Sequence, residues 1–127
     1  MDISGFYNEY AKSVGLTLTE FKVLDILYRK RALTQKDITT IAYLPKQTVN
    51  AIIKGFISKN IIKELTESNL DKRNKEINFT EYGLKYAEKL ISKAKEAEYK
   101  ALDAIGEDEI KILIKLITEY KDNLKIE

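Results

Sequence analysis

The sequence predicts a mainly α-helical fold with one small β-hairpin, and three observations lead to this prediction. Apolar residues recur at the three- and four-residue spacing of helix faces through most of the 127 residues. The chain has one Pro and five Gly, so few positions interrupt a helix. Between residues 61 and 80 the spacing changes to the alternation that is typical of strands. Since no Pro- or Gly-rich linker divides the chain, we expect a single domain over residues 1–127.

A helix is predicted near the N-terminus and a second one over residues 19–31. The first prediction depends on one apolar stripe, made of Ile3, Phe6, Tyr7 and Tyr10. The second helix begins at a capping box, because Thr17 and Glu20 have the spacing at which each side chain bonds the other's backbone amide. The predicted buried face of this helix comprises Phe21, Leu24, Leu27 and Tyr28.

Two short helices with a tight turn between them follow. Thr34 is placed to cap the third helix, with Asp37 in its first turn. Pro45 is expected to open the fourth helix, which runs to about Lys59, because the first turn has no partner for the amide that proline lacks. Asn60 tolerates a left-handed backbone and is predicted to end it. The apolar sets are Ile38, Ile41 and Ala42 for the third helix, and Val49, Ile52, Ile53, Phe56 and Ile57 for the fourth.

The remaining chain predicts the hairpin and two C-terminal helices. Residues 61–66 and 75–80 are the strands, with a long polar tip between them. Thr80 would cap a helix that reaches about Ala104, and Gly106 separates it from a last helix over 107–124. The predicted inward residues of the first of these helices are Leu84, Ala87, Ile91, Ala94 and Ala101. The last helix carries one apolar stripe, made of Ile110, Leu113, Ile114, Ile117 and Leu124 and widened by Ile112 and Leu116. Helix, short helix, turn, helix and hairpin form a winged helix-turn-helix over about residues 17–80, with residues 1–14 and 81–127 left as dimerisation helices.

The composition excludes several functional classes. The chain has no Cys and no His, so disulfides, thiolate chemistry, redox sensing through thiols and Ser-His-Asp triads are absent. We therefore expect no enzyme activity, no metal site and no cofactor. The densest acidic cluster, residues 107–109, is explained by the favourable charge of acids at a helix start. No apolar run approaches 18 residues and no basic-then-apolar leader opens the chain, so we expect a soluble, cytoplasmic protein that does not interact with membranes.

Positive charge is concentrated in the predicted helix-turn-helix and hairpin. Residues 29–80 contain 11 Lys and Arg against 5 Asp and Glu, a net charge of +6. The rest of the chain contains 11 and 15 respectively, a net charge of −4, so the overall +2 conceals the difference. A localised basic surface on such a motif is typical of proteins that bind DNA.

The fourth helix carries side chains that suit base recognition. With its apolar stripe buried, the outward positions are Lys46, Gln47, Asn50, Ala51 and Lys54. Gln and Asn can form paired hydrogen bonds with adenine, and Lys can reach guanine or phosphate. An ordinary solvated helix face has a similar composition, so residue types alone leave both interpretations open.

The hairpin tip admits two interpretations as well. Residues Asp71, Lys72 and Arg73 could be a solvated polar turn. Alternatively, Arg73 could enter the minor groove of DNA, where the negative potential is strongest, while Asp71 orients its guanidinium.

These segments resemble the multiple-antibiotic-resistance regulator (MarR) family. The resemblance lies in Leu16–Phe21, Lys46–Asn50, Asp71–Arg73 and Phe79–Gly83, which occur in the family's order and extend over about residues 14–124. It implies a winged-helix homodimer that binds double-stranded DNA at pseudo-palindromic operators, usually as a repressor. By position, it implies that Lys46, Gln47, Thr48, Asn50 and Lys54 lie on the recognition helix and that Asp71 and Arg73 form the wing pair. The candidate DNA-binding set is completed by Lys36 and Lys72, both in the basic segment.

The sequence departs from the family pattern at several positions. Glu64 stands where an Arg is frequent near the end of the first wing strand, and Ala51 and Gly55 replace basic residues on the recognition helix. The segment before Thr17 is short, so we expect an abbreviated first helix.

The last helix is apolar over more than half its circumference, which favours packing against a second copy rather than only against its own long helix. The family commonly binds small-molecule effectors, but no effector-binding residue is assigned, because aromatic residues at helical spacing are usually core residues. A winged helix that binds another protein, without specific DNA binding, remains the alternative function.

Overall fold

The computed structural model describes residues 2–65 and 75–126. Within these ranges the chain forms six α-helices and three short strands. The helices are α1 (Ile3–Ser13), α2 (Leu18–Lys30), α3 (Gln35–Ala42), α4 (Lys46–Ser58), α5 (Glu81–Ile105) and α6 (Glu107–Asn123). The strands are β1 (Leu33–Thr34), β2 (Ile62–Leu65) and β3 (Glu76–Phe79). No helix in the described ranges is long and apolar enough to cross a membrane.

The helix starts predicted from a capping box at Thr17 and from a cap at Thr34 are both confirmed. Thr17 Oγ1 accepts from the Glu20 amide at 3.1 Å, and Glu20 Oε1 accepts from the Thr17 amide at 2.9 Å. Thr34 and Asp37 form the same pair of bonds at the start of α3, at 3.1 and 3.0 Å. Local sequence therefore sets where α2 and α3 begin, since each box satisfies two amides that the helix itself leaves unpaired.

The ends of α3 and α4 use left-handed residues. Asn60 has a φ of 59°, as predicted. Tyr43, which the sequence did not single out, has a φ of 55° and ends α3. Pro45 is the residue before α4 rather than its first helical residue, with an extended ψ of 144°.

The hydrophobic core lies in the first of two compact units, Met1–Ile91. The largest fully buried side chains are Phe56, Leu24, Leu27, Ile38, Ile53, Ile62, Ile77, Ile91, Val23 and Val49. The apolar stripes predicted for α2, α3 and α4 thus supply most of this core. Two predictions at stripe edges are wrong, because Ile41 and Ile57 are 37% and 39% exposed.

The sheet has three strands rather than the two predicted. The strand order is β1-β3-β2, and both pairings are antiparallel. Ile77 of β3 lies opposite Leu33 on one side and Glu64 on the other. The two-residue β1 escaped prediction because it has no alternating pattern of its own and depends on pairing with a distant strand. The predicted hairpin tip, residues 67–74, lies outside the described residues.

The start of α5 is tied to the residues that follow α4. The Thr80 hydroxyl donates to the Asn60 carbonyl at 2.7 Å and accepts from the Gly83 amide at 2.8 Å, which confirms Thr80 as the cap. The Thr80 amide also donates to the Ile61 carbonyl at 3.0 Å. Along α5, Ala87, Ile91 and Ala94 are buried as predicted, Leu84 is half-buried, and Ala101 is exposed, contrary to prediction.

The second compact unit, Ser92–Glu127, contains the end of α5 and all of α6. No residue of α6 is buried. Ile110 is half-buried, and the other large apolar side chains of α6 are between 44% and 69% exposed: Ile112, Leu113, Ile114, Leu116, Ile117 and Tyr120. Apolar area of this extent on one helix indicates a surface that this chain alone does not cover.

Candidate nucleic-acid interface

The recognition-helix candidate is α4, which the core holds by one face. Val49, Ile53 and Phe56 are at most 1% exposed. On the other side Lys46, Gln47, Ala51 and Lys54 are exposed, as predicted, whereas Thr48 and Asn50 are half-buried. The burial of the apolar stripe therefore fixes which side chains of α4 are available to a partner.

The polar side chains on this face have no partner among the described residues. The Lys46 ammonium, the Gln47 amide and the Asn50 amide form no hydrogen bond or ion pair there, and the same holds for Lys54. Their donors and acceptors are consequently free to bond bases or phosphates, which is the arrangement that direct readout needs.

Two of the predicted lysines lie where helix electrostatics disfavour a cation. Lys46 is the first residue of α4 and Lys36 the second residue of α3, and both side chains are exposed. The N-terminal end of a helix carries a partial positive charge, so a Lys there is unfavourable by a few tenths of a kcal/mol or more. The first turn of α4 has no acidic residue that would offset this. The first turn of α3, by contrast, contains Asp37.

The turn between α3 and α4 is held by a lysine that the sequence analysis missed. Lys22, on α2, extends its ammonium group to the Ala42 carbonyl at 2.7 Å. This carbonyl belongs to the last turn of α3, where a cation is favourable. Lys22 therefore joins α2 to the turn that places the start of α4, and no local pattern reveals it because the residues are 20 positions apart.

A shallow groove of about 540 Å³ separates the start of α2 from α4. It is lined by Thr17, Thr19, Glu20, Gln47, Thr48, Ala51, Ile52 and Gly55. The Glu20 carboxylate in this groove bonds the Thr17 amide and so serves the capping box. Side chains of the predicted reading face thus line the same groove as the start of α2.

The wing contributes charged residues at its described end. Lys63 on β2 is exposed, and Lys75 lies 3.4 Å from Glu64 in an ion pair whose side chains are each about one-third exposed. Glu64, at the position where the family often has Arg, is thus paired within the wing. The predicted tip residues Asp71, Lys72 and Arg73 lie outside the described residues, so their place in the interface stays a prediction.

Comparisons with known proteins agree with this geometry. A sequence model described as "MarR family" matches residues 14–74, which include α2, β1, α3, α4 and β2. Residues 14–74, which carry the helix-turn-helix, are thus similar to the MarR family. The winged-helix fold predicted from the motifs is confirmed, and these matches support a DNA-binding transcription regulator. No curated protein matches the chain.

Solved structures extend the likeness over almost the whole chain. The MarR family regulator NMB1585 of Neisseria meningitidis is 27% identical, with a TM-score of 0.76 over 94% of this chain and 84% of that one. MepR of Staphylococcus aureus in its DNA-binding conformation is 22% identical, with a TM-score of 0.77 over 97% and 90%. S. aureus MarR in complex with salicylate and kanamycin is 16% identical, with a TM-score of 0.78 over 93% and 79%. The last two show the fold alone.

No metal centre is found in the part of the chain that the structure describes. It holds no group of three or more Asp and Glu that could bind an ion, and the sequence has no His or Cys.

Proposed function

We propose that the protein is a sequence-specific repressor that binds a pseudo-palindromic operator as a homodimer. The observation that carries the proposal is the exposed polar face of α4, where Lys46, Gln47, Asn50 and Lys54 have no partner in the described chain. The surrounding net charge of +6 over residues 29–80 supports the same role. A structural relative, a variant of S. aureus MepR, has been crystallised bound to an oligodeoxyribonucleotide.

The proposed dimer uses the exposed apolar surface of α6. Ile114 and Ile117 are 59% and 57% exposed and lie on one stripe, where a second copy can cover them. Two-fold symmetry would place two α4 helices in successive major grooves, one helical turn apart. Dimerisation then sets the half-site spacing, so loss of the dimer removes specific binding even if every DNA contact is intact.

In vitro selection from random-sequence duplexes tests the DNA-binding proposal. We expect an inverted repeat to be enriched, with half-site centres about 10 base pairs apart. Fluorescence anisotropy on the selected duplex should show an affinity that falls steeply with salt, since Lys contacts release counterions. Gln47→Ala or Asn50→Ala should reduce the free-energy preference for the preferred base over the other bases by about 1–3 kcal/mol. Ser58→Ala, at the far end of α4, should leave this preference unchanged.

Equal affinity of the wild type for every duplex would contradict specific recognition. Salt-insensitive association with another protein, together with no DNA binding, would favour the alternative of a protein-interaction module. The repressor role is tested separately with a reporter whose promoter contains the selected site. Expression should fall when the protein is present, and an increase would identify an activator instead.

Sedimentation equilibrium tests the dimer. The wild type should have a molecular mass in solution of twice the 14.7 kDa of one chain. The double variant Ile114→Glu with Ile117→Glu should be monomeric, because two carboxylates would have to be buried in the apolar contact. Lys115→Glu, on the opposite side of α6, is the matched control and should stay dimeric. A dimeric double variant would show that α6 is not the interface.

Small-molecule regulation is part of this proposal, with no effector-binding residue assigned. Salicylate, which S. aureus MarR binds in its crystal, is the first compound to test. Titrated into the protein–DNA complex, an effector should reduce anisotropy at constant salt.

A further inference from the structure

Tyr43 is the most exposed aromatic residue in the described ranges. Its exposure is 91%, against 69% for Tyr120 and 63% for Tyr99. The side chain forms no hydrogen bond to any other described residue. Burial in the core and internal hydrogen bonding therefore do not explain why a large aromatic residue occupies this position.

The backbone of Tyr43 makes the choice of residue more unusual. Tyr43 ends α3 in the left-handed conformation, with φ 55° and ψ 38°, and its amide donates to the Thr39 carbonyl at 3.1 Å. Gly or Asn adopts this conformation with little strain, whereas a bulky side chain there is an outlier. Such outliers persist where function needs them. The fold requires a left-handed residue at position 43, but it does not require a tyrosine.

The position of Tyr43 brings it to the edge of the proposed DNA surface. Only Leu44 and Pro45 separate it from Lys46, the first residue of α4. The preceding carbonyl, that of Ala42, is held by the Lys22 ammonium at 2.7 Å. The Ala42 carbonyl accepts from Lys22 and the Tyr43 amide donates to Thr39, so both polar atoms of the peptide group that precedes the Tyr43 Cα atom are held and the phenol projects from a fixed base.

We propose that Tyr43 contacts the sugar–phosphate backbone of DNA. The phenol hydroxyl donates a hydrogen bond to a phosphate oxygen, and the ring packs against the adjacent deoxyribose. Tyrosine is among the side chains that make such contacts, and they position a protein on DNA without reading its sequence. This inference rests on the proposed function, because it requires that α4 enters the adjoining groove.

A neutral donor leaves a signature that differs from that of a lysine. A Lys–phosphate contact releases counterions, so Lys46→Ala should weaken binding and lower the slope of log Kd against log salt by about one. Tyr43→Phe removes a neutral hydrogen bond, so it should weaken binding about threefold to tenfold and leave the slope unchanged. The loss should be the same on the selected duplex and on a scrambled one.

Fluorescence anisotropy on the full-length protein compares Tyr43→Phe, Tyr43→Asn and Lys46→Ala on both duplexes over a salt series. Tyr43→Asn removes both the hydroxyl and the ring, so it should weaken binding more than Tyr43→Phe. Because Asn accepts the left-handed conformation, this variant should unfold at the same or a higher temperature than the wild type. The matched control is Tyr99→Phe, on α5, which should bind both duplexes as the wild type does.

The outcomes separate the inference from the function on which it rests. Wild-type affinity of both Tyr43 variants, with weakened Lys46→Ala, would overturn the Tyr43 contact and leave the DNA-binding proposal intact. A loss confined to the selected duplex would show that Tyr43 reads bases and would overturn a backbone contact. Absence of DNA binding by the wild type would overturn the proposed function itself.

Discussion

Replacement of Gly83 by alanine should strongly destabilise the winged helix. Gly83 lies in the first turn of α5 and directly against Ile61, which lies between α4 and β2. A Cβ atom at this position would lie 1.7 Å from the Ile61 carbonyl oxygen and 2.5 Å from its carbon. These are backbone atoms, so no side-chain rotation relieves the overlap.

The cost can be worked out from the bonds at this contact. Cβ contacts shorter than 3.0 Å essentially do not occur, so the two backbones must separate by roughly 1.3 Å. The Ile61 carbonyl accepts from the Thr80 amide at 3.0 Å, and such a separation would break this bond. Losing it, together with the longer bond that the Thr80 hydroxyl donates to the same carbonyl at 3.2 Å, costs about 3 kcal/mol. For a chain of this size the melting temperature should fall by roughly 12 °C.

Thermal unfolding followed by circular dichroism at 222 nm measures this effect. Gly55→Ala is the matched control, because a Cβ there meets no atom within 4 Å and the residue lies inside α4. Alanine is the better helix former, so this control should stabilise the protein by about 0.5–1 kcal/mol. A Gly83→Ala variant as stable as the wild type would refute the reasoning from close backbone approach.

Three further predictions concern single interactions. Thr34→Ala should lower the free energy of unfolding, measured in urea, by about 1 kcal/mol, because it removes the cap of α3. An unchanged urea midpoint would contradict the role of this capping box. Lys22→Met should lower the free energy of unfolding by about 1 kcal/mol and weaken DNA binding, because the Ala42 carbonyl loses its donor. A variant that binds DNA with wild-type affinity would show that the turn does not need this bond. Burial raises the pKa of Tyr10, and burial followed by the nearby Tyr82 and Glu20 raises that of Tyr86, each from an ordinary value of 10.0. The stability that both residues contribute is therefore complete below pH 10 and is lost as the pH rises through the higher pKa of the folded state. Urea unfolding between pH 9 and 11 should detect this loss of stability. The loss should be smaller in the double variant Tyr10→Phe with Tyr86→Phe.

Local signals in the sequence predicted most of the helix boundaries correctly. A capping box depends on residues three positions apart, so Thr17 with Glu20 could be recognised without knowledge of the fold. Thr34 was recognised as a cap in the same way, and the structure adds the reciprocal bond from the Thr34 amide to Asp37. The left-handed Asn60 is likewise a property of one residue and its neighbours. The outward positions on α4 followed from its apolar stripe, because a helix with one buried face must expose the other.

Distant pairings were beyond this kind of prediction. Strand β1 exists because Leu33 pairs with Ile77, and the bond from Lys22 to Ala42 likewise joins two helices. Periodicity also could not tell which residue at a stripe's edge is covered, and so Ile41 and Ile57 were wrongly placed in the core.

The sequence by itself determined the order of the six helices and of β2 and β3, the winged helix-turn-helix, the basic segment and the candidate reading face of α4. These depend on spacing and charge along neighbouring residues, which short-range physics dictates. The tertiary structure decided that Tyr43 is exposed on a left-handed turn, that Gly83 must lack a side chain and that α6 leaves its apolar surface uncovered. Each of these depends on which distant residues come within a few ångströms, and a linear pattern does not contain that information.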